Sequence, residues 1–129
     1  MRKGKTLAQL KKDLQKVFNA YIRQRDSKGG DYFICISCGV TKHVSQMNAG
    51  HYYSMGNFSV LRYDEDNVHG QCVACNNFKH GNLLGYREGL LNKIGEERLR
   101  KLELRRHNVS KMGRFELELL IKKYNLNKI

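Results

Sequence analysis

The four cysteines of the chain fall into two pairs, Cys35-x-x-Cys38 and Cys72-x-x-Cys75. Each pair puts two thiolates on one short knuckle, and two knuckles can present four sulfurs tetrahedrally to Zn²⁺. Four thiolates leave no open coordination position, so a zinc here is structural and its binding energy becomes folding energy. Four unrelated buried cysteines, or a redox dithiol, are the weaker alternatives: there are two pairs, and no βαβ pattern accompanies them. The pairs stand 33 residues apart, more than the ~15–20 of compact two-knuckle zinc modules. The longer insert carries residues suited to proton transfer and cation binding. His51 ionises near neutral pH and suits abstraction of a proton from water; the alternative is an imidazole packed beside Tyr52 and Tyr53. Asn67 orients a hairpin or the His51 ring by hydrogen bonds, or is an ordinary turn residue following three acids. Asn76 follows Cys75 directly, where its amide oxygen either binds Mg²⁺ or Mn²⁺ or caps a helix. His80, four residues on, would share a helical face with Asn76. Asp64, Glu65 and Asp66 are further oxygen donors, or a solvated acidic turn. His69 supports a ligand or packs in the core.

The elements that must position these groups follow from periodicity. Leu7, Leu10, Leu14, Val17, Phe18 and Tyr21 fall at three- and four-residue steps and predict an amphipathic helix over 6–25. Thr6 with Gln9 reads as its capping box, and Ser27-Lys28-Gly29-Gly30-Asp31 breaks it. Residues 32–36 are strand-like, as are, more weakly, 47–53 and 59–63. Beyond Cys75 the pattern turns helical. Leu83, Leu84, Leu90, Leu91 and Ile94 predict a helix that stops at Gly95. Residues 96–106 suit a second helix, with acids in the first turn and bases in the last. Ser110 caps a last one through Tyr124, with Phe115, Leu119 and Leu120 inward. The reading is one α+β domain over 1–129: a basic N-terminal helix (1–28), a zinc-stabilised treble clef (32–82) and C-terminal helices (83–129).

At 129 residues and 40% apolar the chain can bury a modest core. No apolar run approaches the ~20 residues that span a bilayer. The basic start is followed by Thr6–Lys12 rather than an apolar run, so the expectation is a cytoplasmic protein with reduced cysteines. The net charge of +12 is unevenly placed: residues 1–28 carry nine Lys/Arg against two acids, 29–80 three against four, and 81–129 twelve against six. Two basic wings around a near-neutral middle point to a polyanionic partner, since neutralised phosphates release condensed counterions. Solvated Lys-rich helix faces are the alternative. Arg62, Lys79 and Arg87 flank the insert as candidate phosphate contacts, or as surface cations snorkelling over apolar neighbours. Tyr86 either packs in the core or stacks on an exposed base.

Ala49-Gly50-His51-Tyr52, Asp66-Asn67-Val68-His69 and Cys75-Asn76-Asn77-x-Lys79 together resemble a His-Asn-Asn version of the His-Asn-His (HNH) nuclease signature. Cys35-Ile36-Ser37-Cys38-Gly39, Arg62-Tyr63-Asp64-Glu65-Asp66-Asn67-Val68-His69, Gln71-Cys72-Val73-Ala74-Cys75-Asn76, Lys79-x-Gly81-Asn82 and Tyr86-Arg87 are similar to the phage lambda NinG (Rap) recombination nucleases, over residues from about 17 to 103. More distantly the layout resembles the junction-resolving endonuclease VII. The resemblance implies a ββα-metal core, cleavage of branched recombination intermediates in a bacterial host's cytoplasm, and catalysis by His51, Asn67 and Asn76. The cation would be Mg²⁺ or Mn²⁺ on Asn76, with His80 as a further ligand. The resemblance also implies a homodimer, for which the apolar faces of 6–21 and 112–124 could supply contacts or simply be core. One position departs from the wider nuclease pattern. Where most relatives carry a metal-binding Asp or His before the catalytic His, this chain has Gly50, as NinG-type proteins do.

Overall fold

The computed structural model describes residues 4–109 and 111–125. Helix α1 (Leu7–Ser27) starts at the capping box, with the Thr6 hydroxyl accepting from Gln9 N–H and the Gln9 side chain accepting from Thr6 N–H. It ends where Lys28 turns left-handed. Leu10, Leu14, Phe18 and Ile22 recur every four residues on its buried face. Helix α4 (Arg114–Tyr124) lies along that face through Leu117 and Tyr124. The Phe18 ring meets Tyr63 and Tyr124 edge-on, with centroids 5.9 and 4.9 Å away. The apolar faces of 6–21 and 112–124 therefore pack on each other within one chain as core. On α4 Leu117 and Tyr124 are buried and Leu120, as expected, packs against the core with Ile121, while Phe115 and Leu119, also expected inward, are exposed. Ser110, expected to cap it, lies outside the described residues, and the N-cap is Gly113.

Two small antiparallel sheets make the rest of the frame. Strands β1 (Tyr32–Ile34) and β2 (Thr41–His43) flank the first cysteine knuckle. Strands β3 (Met47–His51) and β4 (Val68–Cys72) pair with Gly50 opposite His69 and His51 opposite Val68. Every residue of β4 is buried. One face of this hairpin rests on α1, with Val68 in the α1–α4 core and Ala49 packed against it. The expected strand at 59–63 is instead a 3₁₀ turn, Ser59–Leu61, within the connection from β3 to β4. Leu61 is drawn inward there, and its carbonyl is bonded by Asn67.

The chain does not run straight from Cys75 into a helix. Ala74–Phe78 forms a π-helical turn, and His80, Gly81 and Asn82 all have positive φ before helix α2 (Leu83–Lys93) begins. Helix α3 (Gly95–Arg105) follows at once. A second core joins them: Ile36, Leu61, Tyr86, Leu90, Leu99 and Leu102. Of the leucines that predict α2, Leu90 is buried while Leu83, Leu84 and Leu91 are exposed. The cause is on the opposite flank of α2. A Cβ on Gly85 or Gly89 would run into the carbonyls of Ser37 and Ile36, so these glycines seat the helix directly on the first knuckle. That seating fixes the helix rotation and turns Leu84 to solvent. The expected α+β class holds, with two two-stranded sheets and four helices among the described residues.

Candidate active site and metal centre

The four sulfurs converge. Cys35, Cys38, Cys72 and Cys75 place all their Sγ atoms within 4.8 Å of one another, and Cys38 Sγ lies 3.9 Å from Cys72 Sγ. A disulfide needs about 2.05 Å, whereas a tetrahedron of 2.3 Å zinc–sulfur bonds spaces its sulfurs about 3.8 Å apart. The donor set fits zinc. Three of the four cysteines are buried among Phe33 and Met47. N–H groups reach two of the sulfurs: Cys72 N–H donates to Cys35 Sγ at 3.3 Å, and Asn82 Nδ2 to Cys75 Sγ at 3.4 Å. Burial outweighs the Asn82 bond, however, and pushes the Cys75 thiol up to about 12. Burial opposes ionisation of Cys35, but backbone N–H groups of Cys38, Cys72 and Ser37 outweigh it and bring the thiol down to about 7.

His51 ends β3 with its ring half-buried. Nε2 lies 2.8 Å from the carbonyl oxygen of Arg62. A carbonyl only accepts, so Nε2 carries the proton and Nδ1 keeps a free lone pair. Burial, with the Arg62 cation in support, pushes the ring below its usual 6.5 against the pull of that carbonyl. The imidazole is therefore neutral near pH 7, with a defined basic nitrogen.

Asn67 is fully buried and staples the β3–β4 connection. Its Oδ1 accepts from Tyr53 N–H at 2.8 Å, while Nδ2 donates to the carbonyls of Tyr53 (3.0 Å) and Leu61 (3.1 Å). These bonds hold the two ends of the loop that carries the Arg62 carbonyl, so Asn67 acts on His51 through that loop. From α2, the buried Tyr86 donates its hydroxyl hydrogen to the Gly50 carbonyl at 2.6 Å. It is a core residue pinned to β3, unavailable for stacking on a base.

Asn76 lies inside the π turn and is half-buried. It caps nothing: Val73 precedes the turn, and Asn82 stands at the N-cap of α2. The expected Asn76–His80 pairing on one helical face does not form. The turn ends at Phe78, and His80 is an exposed residue with φ 48° in the following bend. The acidic run is committed elsewhere: Asp64 and Asp66 pair with Arg105 and Arg98, and Glu65 accepts from Tyr21 and Tyr124. Among the described residues, the cysteines are the one group of three or more His, Cys, Asp or Glu spaced to hold a metal ion.

A family model described as "Bacteriophage Lambda NinG protein" matches residues 1–128. The chain belongs to the NinG family. The chain is 46% identical to protein ninG of Escherichia phage 933W and 44% identical to that of Escherichia phage lambda, each over 92 residues, or 71% of this chain and 43% of the relative. Protein ninG of Salmonella phage P22 is 46% identical over 84 residues, 65% of this chain and 39% of the relative. The match thus spans less than half the length of these relatives. No solved structure matches.

In this NinG-family chain the three candidate phosphate contacts differ in freedom. Lys79 is exposed on the bend after the π turn. Arg87 on α2 pairs with Glu103 at 2.7 Å. Arg62 donates to Gln15 of α1 at 2.7 Å and lies 5.1 Å over the Tyr63 ring. No described helix is long and apolar enough to cross a membrane. Residue types alone missed two groups. Arg25, Asp26 and Lys93 surround His69: Arg25 Nη2 and Lys93 Nζ lie 3.1 and 2.8 Å from Nδ1, and Nε2 donates to the Asp66 carbonyl at 2.9 Å. His69 is thereby a neutral, buried brace. Gln71 is the second; its position on β4, facing Gly50 diagonally, is legible only once the register is known.

Proposed function

We propose that this chain is an HNH-type, metal-dependent DNA endonuclease domain, with a structural zinc at the four cysteines and a ββα-metal arrangement made of β3, β4 and the turn leading to α2. The observation that carries the reading is the His51 ring. Its proton is committed to the Arg62 carbonyl at Nε2, its burial keeps it neutral, and Nδ1 is left as a general base for a water molecule. Asn67 holds the loop that supplies that carbonyl. Asn76, free of any capping duty, offers a hard amide oxygen of the kind Mg²⁺ and Mn²⁺ accept with few protein ligands and several waters. Such a cation would neutralise charge on the scissile phosphate and the leaving oxygen. The basic wings, with Lys79 beside the turn, supply the phosphate attraction. The family resemblance supports branched recombination DNA as substrate, and junction resolution by a homodimer remains an inference from that resemblance.

The second reading is a zinc-dependent DNA-binding module without catalysis. Gly50, which offers no side chain where related nucleases hold a metal ligand, favours it. One assay separates the two. Zinc-loaded protein with Mg²⁺ or Mn²⁺ should cut a synthetic four-way junction in preference to linear duplex. His51→Ala should bind the junction equally and cut it about 10²-fold or more slowly. Equal cutting by the variant would remove the base assignment, and binding without cutting by the parent protein would favour the second reading.

A further inference from the structure

The two basic wings of the chain differ in how the fold uses their charge. In the C-terminal wing Arg87, Lys93, Arg98, Arg105 and Arg114 each face a carboxylate. On α1 both acids are engaged as well: Asp13 pairs with Lys5, and Asp26, its side chain nearly buried, pairs with Arg25 and Lys93. Lys12, Lys16 and Arg23 are left over. All three are exposed, and among the described residues none makes an ion pair or a side-chain hydrogen bond.

These cations form a line. At 3.6 residues per turn, Lys12, Lys16, Asn19 and Arg23 lie within about 60° of arc, opposite the face of Leu10, Leu14, Phe18 and Ile22. At 1.5 Å per residue the stripe is about 16 Å long. Lys12 and Lys16 stand four apart, a spacing at which like charges repel. The acids three residues from Lys16 and Arg23 are Asp13 and Asp26, the two already engaged. The stripe also borders the loop that holds His51. Along its edge Gln15 Nε2 donates to Asn19 Oδ1 at 2.7 Å, Arg62 Nε donates to Gln15 Oε1 at 2.7 Å, and the Arg62 carbonyl lies 2.8 Å from His51 Nε2. Arg62 meets only neutral groups there, Gln15 and the Tyr63 ring, and keeps its charge.

We infer that the outer face of α1 is a phosphate track: Lys12, Lys16 and Arg23 seat the sugar–phosphate backbone of one DNA arm and lead it to the His51 loop, while the C-terminal wing contributes little. The inference rests on the nuclease reading above for its partner. Each strand of a duplex carries a charge per 3.4 Å of axis, so the stripe is long enough to meet several phosphates. An anionic membrane fits less well. A helix lying on lipid inserts an apolar face, and that of α1 is covered by α4.

The test is the salt dependence of binding by the zinc-loaded full chain to a synthetic four-way junction and to linear duplex, without Mg²⁺ or Mn²⁺. Lys12→Gln/Lys16→Gln/Arg23→Gln changes exposed positions to a good helix former, so melting temperature and zinc content should hold. The slope of log affinity against log salt should flatten by about two to three, roughly 0.9 per lost phosphate contact. Each single substitution should give about a third of that, an arm that does not depend on the triple variant folding. Arg100→Gln/Lys111→Gln/Lys122→Gln removes the same charge from exposed positions of the C-terminal wing and should flatten the slope by less than about one. Equal flattening by the two triples would mean diffuse attraction and overturn the track. So would an unchanged slope in the α1 variants, or loss of binding to phosphatidylglycerol vesicles but not to DNA. A stripe-dependent slope in a protein that cuts nothing would keep the track and remove the nuclease reading. Cutting by a protein whose DNA affinity ignores the stripe would do the opposite.

Discussion

The α1–α4 layer and the β3–β4 hairpin bury side chains of opposite kinds. Between the helices lie Leu10, Leu14, Phe18, Ile22, Leu117 and Tyr124, an interior that needs only shape and apolar area. Around the hairpin, beside apolar Met47, Val68 and Phe33, the buried set adds Asn67, His69, Gln71, Ser37 and three cysteines. Those groups are stable inside only if each finds its partner. The first region is self-sufficient. The second depends on an arrangement of hydrogen bonds and of four sulfurs spaced to hold a metal ion. A region built that way is poorly stabilised but tightly specified, which on the nuclease reading suits a place where a base and a cation must be held at fixed positions.

The largest expected effect breaks the comparison at its metal. Cys75→Ser, or removal of zinc by a chelator, takes away binding energy on the order of 10 kcal/mol, comparable with the whole stability of a domain this size. The hairpin should lose amide-exchange protection while α1 and α4 keep residual helix by circular dichroism. Zinc stoichiometry should fall from one to zero in step with the melt. An identical melting curve with and without metal would show that the hairpin stands without it.

Phe18→Ala tests the other side. The ring is fully buried between Tyr63 and Tyr124, and its loss should cost about 3–5 kcal/mol in chemical denaturation. Zinc affinity of the folded variant should stay unchanged, because no cysteine touches that core. If zinc binding weakens as much as stability, the two regions are one cooperative unit and the contrast drawn here fails. Asn67→Ala is the polar counterpart and smaller, about 2–3 kcal/mol, since it strands the Tyr53 N–H and two carbonyls. On the nuclease reading its larger signature should be kinetic: junction cleavage should drop more than stability accounts for, while DNA binding holds. Asn67→Asp, which sets an acceptor oxygen against the Tyr53 and Leu61 carbonyls in a fully buried site, should cost at least as much as Asn67→Ala.

The same contrast explains what could be read from residue types. The capping box at Thr6 and the four-residue steps of α1 are local, and they fold as the spacing predicts. So does the convergence of the two cysteine pairs, because two knuckles in one small domain have few ways to avoid each other. The failures all lie where distant contacts overrule local pattern. Val60 and Leu61 read as strand, but Asn67 draws the Leu61 carbonyl into a turn. The leucines of 83–94 gave a helix but not its rotation, which Gly85 and Gly89 set by seating α2 on the Ser37 and Ile36 carbonyls. Asn76 and His80 read as one helical face, but the π turn ends between them. Gln71 carried no signal, because its meaning depends on which residue lies diagonally across the hairpin.

The smallest effect concerns His51, where the two regions meet: its strand partner Val68 belongs to the helical core and its ring bond goes to the polar loop. Burial lowers its pKa below 6.5. The active form on the nuclease reading is the neutral ring, so cleavage should hold as pH falls through 6.5 and decline only at lower pH, as the folded protein takes up the proton. Linkage fixes the sign for stability too. Below 6.5 the unfolded chain binds a proton the folded one resists, so stability drops with acidification, by no more than about 1.4 kcal/mol per pH unit for one group. His51→Gln should remove that increment without restoring cleavage. The acid limb of the rate profile, measured at saturating metal and in parallel with zinc content, is the decisive reading. A limb centred above 6.5 would mean that a neighbouring anion, not burial, governs the ring, and that the helical layer does not reach the site at all.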